Sequence, residues 1–368
     1  MSGLVFSAWS AVSPFGVGNE PFREGIRERR SAVAELDRET HPGPFAQGAL
    51  VPGFSAAEHV GRKGTRTMDR VTALAVATVG RLLAEGGPRL TARPEETGLV
   101  LGTGSGSVQS IMDFTRDSLV GERPYHVDPS RFPNTVMNRA AGQSAIWHGI
   151  KGPNTTIAGG RLTGITALSY AARLHRGGHC TRVLCGAAEE FSVQRSWLEW
   201  HGRAAGDRET PLGEGGAVFL LESAEDATAA GRRPLARLLG TRFRASGSTE
   251  GLADELAECI RGALRAAGAR AEDVRLVAPS DAGGVHAGIE AAAVADALGA
   301  VRPEWLHCRP LLGDTSAASA SFQLAAVLAA VGDEGIEPGR LALVTAVDQD
   351  GTVGCALLGG CGPTSEEK

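Results

Sequence analysis

The sequence predicts an α/β protein made of two duplicated halves, with two mixed sheets around a central helical layer. Three observations lead there. Short apolar runs of strand length alternate with Ala-rich stretches of helical spacing, the pattern of substantially parallel sheets. Two segments, "LTGITALSYAARL" from Leu162 and "TSAASASFQLAAVLAAV" from Thr315, read as helices that are apolar nearly all round, and such helices belong in the middle of a structure. Each falls in its own half. Finally, 50 glycines against 5% aromatic residues describe helices and strands that approach closely through small side chains.

The strands follow in order as "LVFS" from Leu4, "TGLVLGTG" from Thr97, "TRVLCG" from Thr181, "GAVFLLE" from Gly216, "PLARLLGTRF" from Pro234, "VRLVAPS" from Val274, "LALVTAV" from Leu341 and "VGCALLGG" from Val353. Between them, "MDRVTALAVATVGRLLAEG" from Met68 and "LADELAECIRGALRAAGA" from Leu252 carry helical periodicity. The stretch "GPNTTIAGGRLTGITALSYAARL", 152 to 174, reads as a strand, a tight small-residue turn and a helix. Several enzyme families mount a nucleophile on the first turn of such a helix, and here that residue is Arg161. The halves divide near 226 to 233, where "EDATAAGRRP" combines charge, small residues and a proline. We therefore expect an N-terminal half at 1–230, a C-terminal half at 231–362 and a polar tail at 363–368.

Composition excludes several function classes. The net charge of −5 is spread with mixed signs, which argues against a nucleic-acid surface. Six cysteines without a CxxC or metal-type spacing read as reduced thiols. No leader is expected from the N-terminal "GLVFSAWSAVSPFG", no window is expected to approach a membrane span of about 20 apolar residues, and the expected location is cytoplasmic. "GTGSG" at 102 to 106 lacks dinucleotide-loop spacing and reads as a strand-end turn. His175, His179 and His201 lack a convincing third ligand and read as helix-end or surface residues. No cofactor and no metal are expected.

Several stretches together resemble one family, the β-ketoacyl synthases of fatty-acid and polyketide assembly. "AVSPFGVGNEPFREGIRERRSAV" is similar to the family's opening strand, turn and helix; "DRVTALAVATVGRLLAE" and "TGLVLGTGSGSVQS" match the helix, strand and loop that follow. "FPNTVMNRAAGQSAIWHGIKGPNTTIAGG" resembles the approach to the nucleophile elbow, and "PLGEGGAVFLLE" the family's "GEGAGVLVLE" strand. The resemblance implies the duplicated thiolase-like fold, five layers in the order α-β-α-β-α. It also implies a cysteine at a helix start and two histidines for decarboxylative condensation. Carried across by position, the cysteine falls on Arg161, the first histidine motif on Pro279, Ser280 and Asp281, and the second on Asp314 with Arg309 at the lysine position. His286 follows the first motif, and "DQDGTV" from Asp348 stands for the gating loop. Phe132, Met137 and Asn138 fall on the segment that lines the family's dimer interface, and Thr163 and Gln349 complete the pocket or interface candidates.

No thioester forms on an arginine, so none of these positions is expected to be catalytic in the family's manner. Arg161 reads either as a structural plug paired with Asp314 or as a guanidinium fork for a substrate carboxylate or thioester oxygen. Ser280 and Asp281 read as turn residues or acid-base groups, and Met137 as interface or core. The basic stretches "FREGIRERR" and "GRKGTR" read as solvated faces or as a match for an acidic acyl carrier protein. The branch of the family that keeps the fold and loses the nucleophile is the type II polyketide chain-length factor. The resemblance therefore implies a non-condensing subunit that pairs with an active ketosynthase, or with itself, and meets an acyl carrier protein. The alternative is an enzyme whose rebuilt site uses Arg161 and Asp314 on a carrier-protein thioester.

Overall fold

The computed structural model describes residues 3–87, 89–203 and 205–362, so the expected polar tail at 363–368 lies outside the described residues. Its principal strands are β1 (Leu4–Ser13), β2 (Thr97–Gly102), β3 (Asn154–Ile157), β4 (Arg182–Glu189), β5 (Gly215–Ser223), β6 (Ala236–Ala245), β7 (Val274–Ala278), β8 (Glu304–Trp305), β9 (Leu341–Val347) and β10 (Thr352–Gly359). The first five lie in the spatial order β1-β5-β4-β2-β3, and the second five repeat it as β6-β10-β9-β7-β8. Pair directions repeat as well. In each set the two pairs next to the first strand are antiparallel and the outer two are parallel. This is the duplication written in topology.

The two sheets are joined where their first strands meet: β1 and β6 pair antiparallel over Val5↔Arg237 and Phe6↔Ala236. The sequence reading does not foresee this seam, because two residue pairs at a sheet edge leave no periodic signal. A small separate sheet of Ala34–Glu35, Gln47–Ala49 and Leu212–Gly213 escapes it for the same reason.

The longer helices are α1 (Asn19–Arg27), α2 (Arg70–Gly86), α3 (Val108–Val120), α4 (Arg139–His148), α5 (Thr163–Arg176), α6 (Val193–Gly202), α7 (Leu252–Ala267), α8 (Ile289–Leu298) and α9 (Ser319–Val331). α2 covers the outer face of the first sheet beside α4, and α7 covers the outer face of the second beside α8. α5 and α9 touch each other between the sheets, which completes five layers. The central strands are sheathed on both faces, so they read as continuous apolar runs: all residues of β1, β5 and β9 are buried.

α9 is the clearest consequence of this placement, since every residue from Ala320 to Leu328 is buried. By length and composition alone Ser316–Glu334 is long and apolar enough to cross a membrane, yet most of it is buried inside the protein. The expectation that no window approaches such a span is thereby corrected. Its cause is the central layer, which demands an apolar surface on every side of the helix. Gly164 lets α5 come close, because a Cβ there would lie 2.6 Å from the Ser321 amide nitrogen on α9.

A buried ion cluster at the helix start

β3 ends at Ile157, and the chain turns through small residues and a short 3-10 segment, Gly160–Leu162, into α5. Gly160 adopts φ 52°, and a Cβ there would sit 1.8 Å from an Asp348 carboxylate oxygen, so the turn demands glycine on both counts. Arg161 follows, only 5% exposed. Its Nη2 donates to Asp314 Oδ2 at 2.8 Å and lies 3.9 Å from Asp207 Oδ2, while its backbone N–H donates to Asp348 Oδ1 at 3.2 Å.

Asp314 is placed by backbone bonds before any charge is counted. Its N–H donates to Pro211 O at 2.7 Å and its carbonyl accepts from Gly213 N at 2.9 Å, which ties it to the "PLGEGG" segment. Oδ1 accepts from the Ser316 amide at 2.9 Å, and Ser316 sits in the left-handed region at φ 47°. Oδ2 then receives two more guanidinium groups, Arg203 at 2.9 Å and Arg309 at 3.2 Å.

The surrounding charges balance this load. Arg309 also donates to Asp207 Oδ1 at 2.8 Å, and Arg203 pairs with Glu199 at 3.1 Å. Arg195, on α6, donates to the backbone oxygens of Glu190 and of Gly213, the latter at 3.0 Å. Burial alone would push the Asp314 carboxyl up, but Arg161, Arg203 and Arg309 outweigh it and hold it well below the usual carboxylate range. The Asp314 carboxylate in turn raises Arg161 above its ordinary value despite burial.

The chemistry open to this arrangement is narrow. A guanidinium stays protonated and offers no nucleophilic lone pair. An Asp held ionised by three arginines is a poor proton acceptor and has no proton to give. Cavities of about 100, 520, 440 and 840 Å³ open elsewhere in the protein, and none of these is lined by Arg161, Asp207, Asp314 or Asp348.

The other sequence-derived positions lie as follows. Pro279 and Ser280 are buried at the end of β7, and Ser280 is committed to Glu290: its N–H donates at 2.8 Å and its hydroxyl at 3.0 Å. Asp281 is half-buried at φ 53° and its carboxylate meets His307 Nδ1 at 2.5 Å, while its carbonyl accepts from Arg309. His286 sits half-buried on the 3-10 turn Gly284–His286, outside the cluster. Thr163 is buried and caps the turn, donating to Gly160 O at 2.7 Å and accepting from Gly159 N at 3.0 Å. Gln349 is exposed in the β9–β10 turn. Phe132, Met137 and Asn138 are exposed, so Met137 is no core residue. His175 ends α5, His179 follows it, and His201 stacks on Trp197. The strand-end reading of "GTGSG" matches a bend between β2 and α3.

Sequence reasoning missed Arg203, Asp207, Arg195 and the side chain of Asp348. One signal was available: two cations at Arg161 and Arg309 need more buried anions than Asp314 alone supplies. It also missed Glu214 of "PLGEGG", fully buried, which binds Arg70 Nε at 2.6 Å and accepts from the amides of Val51 and Phe191.

Known proteins resemble this chain in sequence and in fold. The family described as "Beta-ketoacyl synthase, N-terminal domain" matches residues 4–227. The 3-oxoacyl-[acyl-carrier-protein] synthase 2 of Vibrio harveyi is 26% identical over 261 residues, 64% of this chain and 61% of that protein, so the match spans about three fifths of that relative's length. A solved structure described as the ishigamide ketosynthase/chain length factor is 43% identical, with a TM-score of 0.88 over 98% of this chain and 100% of that one. A type II polyketide ketosynthase solved with its acyl-carrier protein shares the fold, with a TM-score of 0.81 at 16% identity over 98% of this chain and all of that one. With the family's signature running across its whole first half and the duplicated topology beneath it, the chain belongs to the β-ketoacyl synthase family.

Proposed function

We propose that this chain is a non-condensing ketosynthase-like subunit of the chain-length-factor type, which pairs with an active ketosynthase and completes its acyl tunnel in polyketide or fatty-acid-type assembly. One observation carries the reading: the nucleophile position holds a buried arginine locked into an ion cluster. A site built for substrate would leave the guanidinium exposed to it, and here the residue is 5% exposed with its Nη2 bound to Asp314. The full-length likeness to a ketosynthase/chain length factor structure supports the same conclusion.

An interface is available on the first half. β3 is the edge of its sheet, and α4 packs against it. Around α4, the segment before it and α3, the side chains of Ile146, Met137, Phe132 and Leu119 are exposed. An apolar surface beside an open sheet edge favours association with a second chain. The proposed partners are an active ketosynthase and its acyl carrier protein.

Co-expression with a candidate partner ketosynthase tests the reading, through pull-down and a carrier-protein condensation assay with and without this chain. Co-purification and dependence of condensation on the chain are expected. A homodimer that ignores the ketosynthase and turns over an acyl thioester unaided would refute it and favour the rebuilt-site alternative.

A further inference from the structure

Replacing the nucleophile is one way to retire a condensing site; the geometry around Arg161 contains a second. Asp348 follows β9, and its backbone is fixed in the β9–β10 turn: its N–H donates to Thr352 O at 2.9 Å and its carbonyl accepts from Gly351 N at 3.3 Å. From this anchored position the side chain reaches across to the start of α5, where Oδ1 accepts the Arg161 amide at 3.2 Å. The carboxylate fills the space over Gly160 so closely that a Cβ would meet Oδ2, Cγ and Oδ1 at 1.8, 2.3 and 2.5 Å. Glycine on one side and an anchored carboxylate on the other are a matched pair.

The occupied donor is the informative one. First-turn amides have no partner within their own helix. They favour negative charge, and so lower the pKa of a thiol mounted there or hold a developing oxyanion. A carboxylate resting on that amide takes the donor and places a like charge beside any thiolate. We propose, on the reading that this site no longer condenses, that Asp348 is a second lock on position 161: cysteine placed there would remain an unreactive thiol until the Asp348 carboxylate is removed.

The groups facing position 161 are Asp207, Asp314 and Asp348, with Arg203 and Arg309 bound to Asp314. Exchanging Arg161 leaves Asp314 its bonds to Arg203 and Arg309, so the cluster keeps two of its three cations and the fold is expected to survive. Arg161→Cys is therefore compared with Arg161→Cys/Asp348→Asn, which removes the charge, and Arg161→Cys/Asp348→Ala, which also frees the amide. Each is alkylated with iodoacetamide over a pH series, the thiolate displacing iodide, and peptide mass spectrometry reads residue 161 apart from the six native cysteines.

In the single variant the alkylation midpoint is expected above about 8.5, the ordinary cysteine value. In both double variants it falls by at least one pH unit, with about a tenfold faster reaction at pH 7. A smaller fall, or a single-variant midpoint below the ordinary value, overturns the proposal. A second measurement needs no cysteine: Gly160→Ala lowers Tm in the native background, and Asp348→Ala is expected to remove at least half of that loss. An undiminished loss also overturns the lock. Neither result depends on a partner ketosynthase, so a failed lock leaves the subunit reading standing, and a failed co-purification leaves the lock standing.

Discussion

Asp314 carries more of the cluster than Arg161 does, and this can be tested one residue at a time. Asp314→Asn leaves three buried guanidinium groups without their shared anion, whereas Arg161→Met leaves Asp314 with two. Breaking a buried ion pair from one side costs about 3–5 kcal/mol. Urea denaturation should therefore find Asp314→Asn destabilised by at least that amount and Arg161→Met by clearly less. The reverse order would mean that Arg161 is the keystone. A second residue offers a signed pH test. Burial first, and then the neighbouring Asp69, push the Glu190 carboxyl up to about 7. The folded state then holds a proton that the unfolded chain has released. Glu190's contribution is full below its unfolded pKa of about 4.5 and is lost as the pH rises through about 7. Glu190→Gln imitates the protonated form, so it should gain up to about 3 kcal/mol over the parent at pH 8 and nothing at pH 4. A pH-independent difference between the two proteins would reject that account.

Elements were legible in the sequence to the extent that they repeat. The eight long strands and the helices from Arg70, Thr163, Leu252 and Ser319 run for five or more residues with one period, and each coincides with an element of the structure. The two-residue strands Ala34–Glu35, Leu212–Gly213 and Glu304–Trp305 have no period to read and are set by tertiary contacts. The ion cluster divides in the same way. Arg161, Arg309 and Asp314 could be placed because flanking motifs fix their positions. Arg203 and Asp207 come from the loop after α6, where only the folded chain shows that they point inward. The central layer makes its own prediction. α5 and α9 cross where Gly164 meets the backbone at Ser321, so Gly164→Ala would force the helices apart or strain the contact. Overpacking of this kind costs about 1–3 kcal/mol, while Gly→Ala at an unobstructed helix position gains about 1 kcal/mol from propensity. Chemical denaturation should give a net loss. A net gain would show that the crossing has slack.

At the scale of the whole molecule, the two halves are built alike but finished differently. The second half closes its outer edge with the two-residue β8, and the first ends on β3 with exposed apolar residues beside it. Ile146 is 76% exposed and Met137 40%, so charges can be placed there with little effect on the core. If this face receives a ketosynthase, Ile146→Arg combined with Met137→Glu should weaken co-purification by tenfold or more while the thermal midpoint of the isolated chain stays within about 1 °C. Residues central to an interface are where single truncations commonly cost 2 kcal/mol or more. Val285, 67% exposed in the turn after β7, provides the control, since Val285→Glu adds a charge without touching this edge. Light scattering on the purified proteins separates the outcomes. A heterodimer lost only in the double variant assigns the face to the ketosynthase, and a homodimer lost in the same variant assigns it to a second copy. Unchanged assembly in both variants would move the interface to another surface and leave the open edge of β3 without a partner.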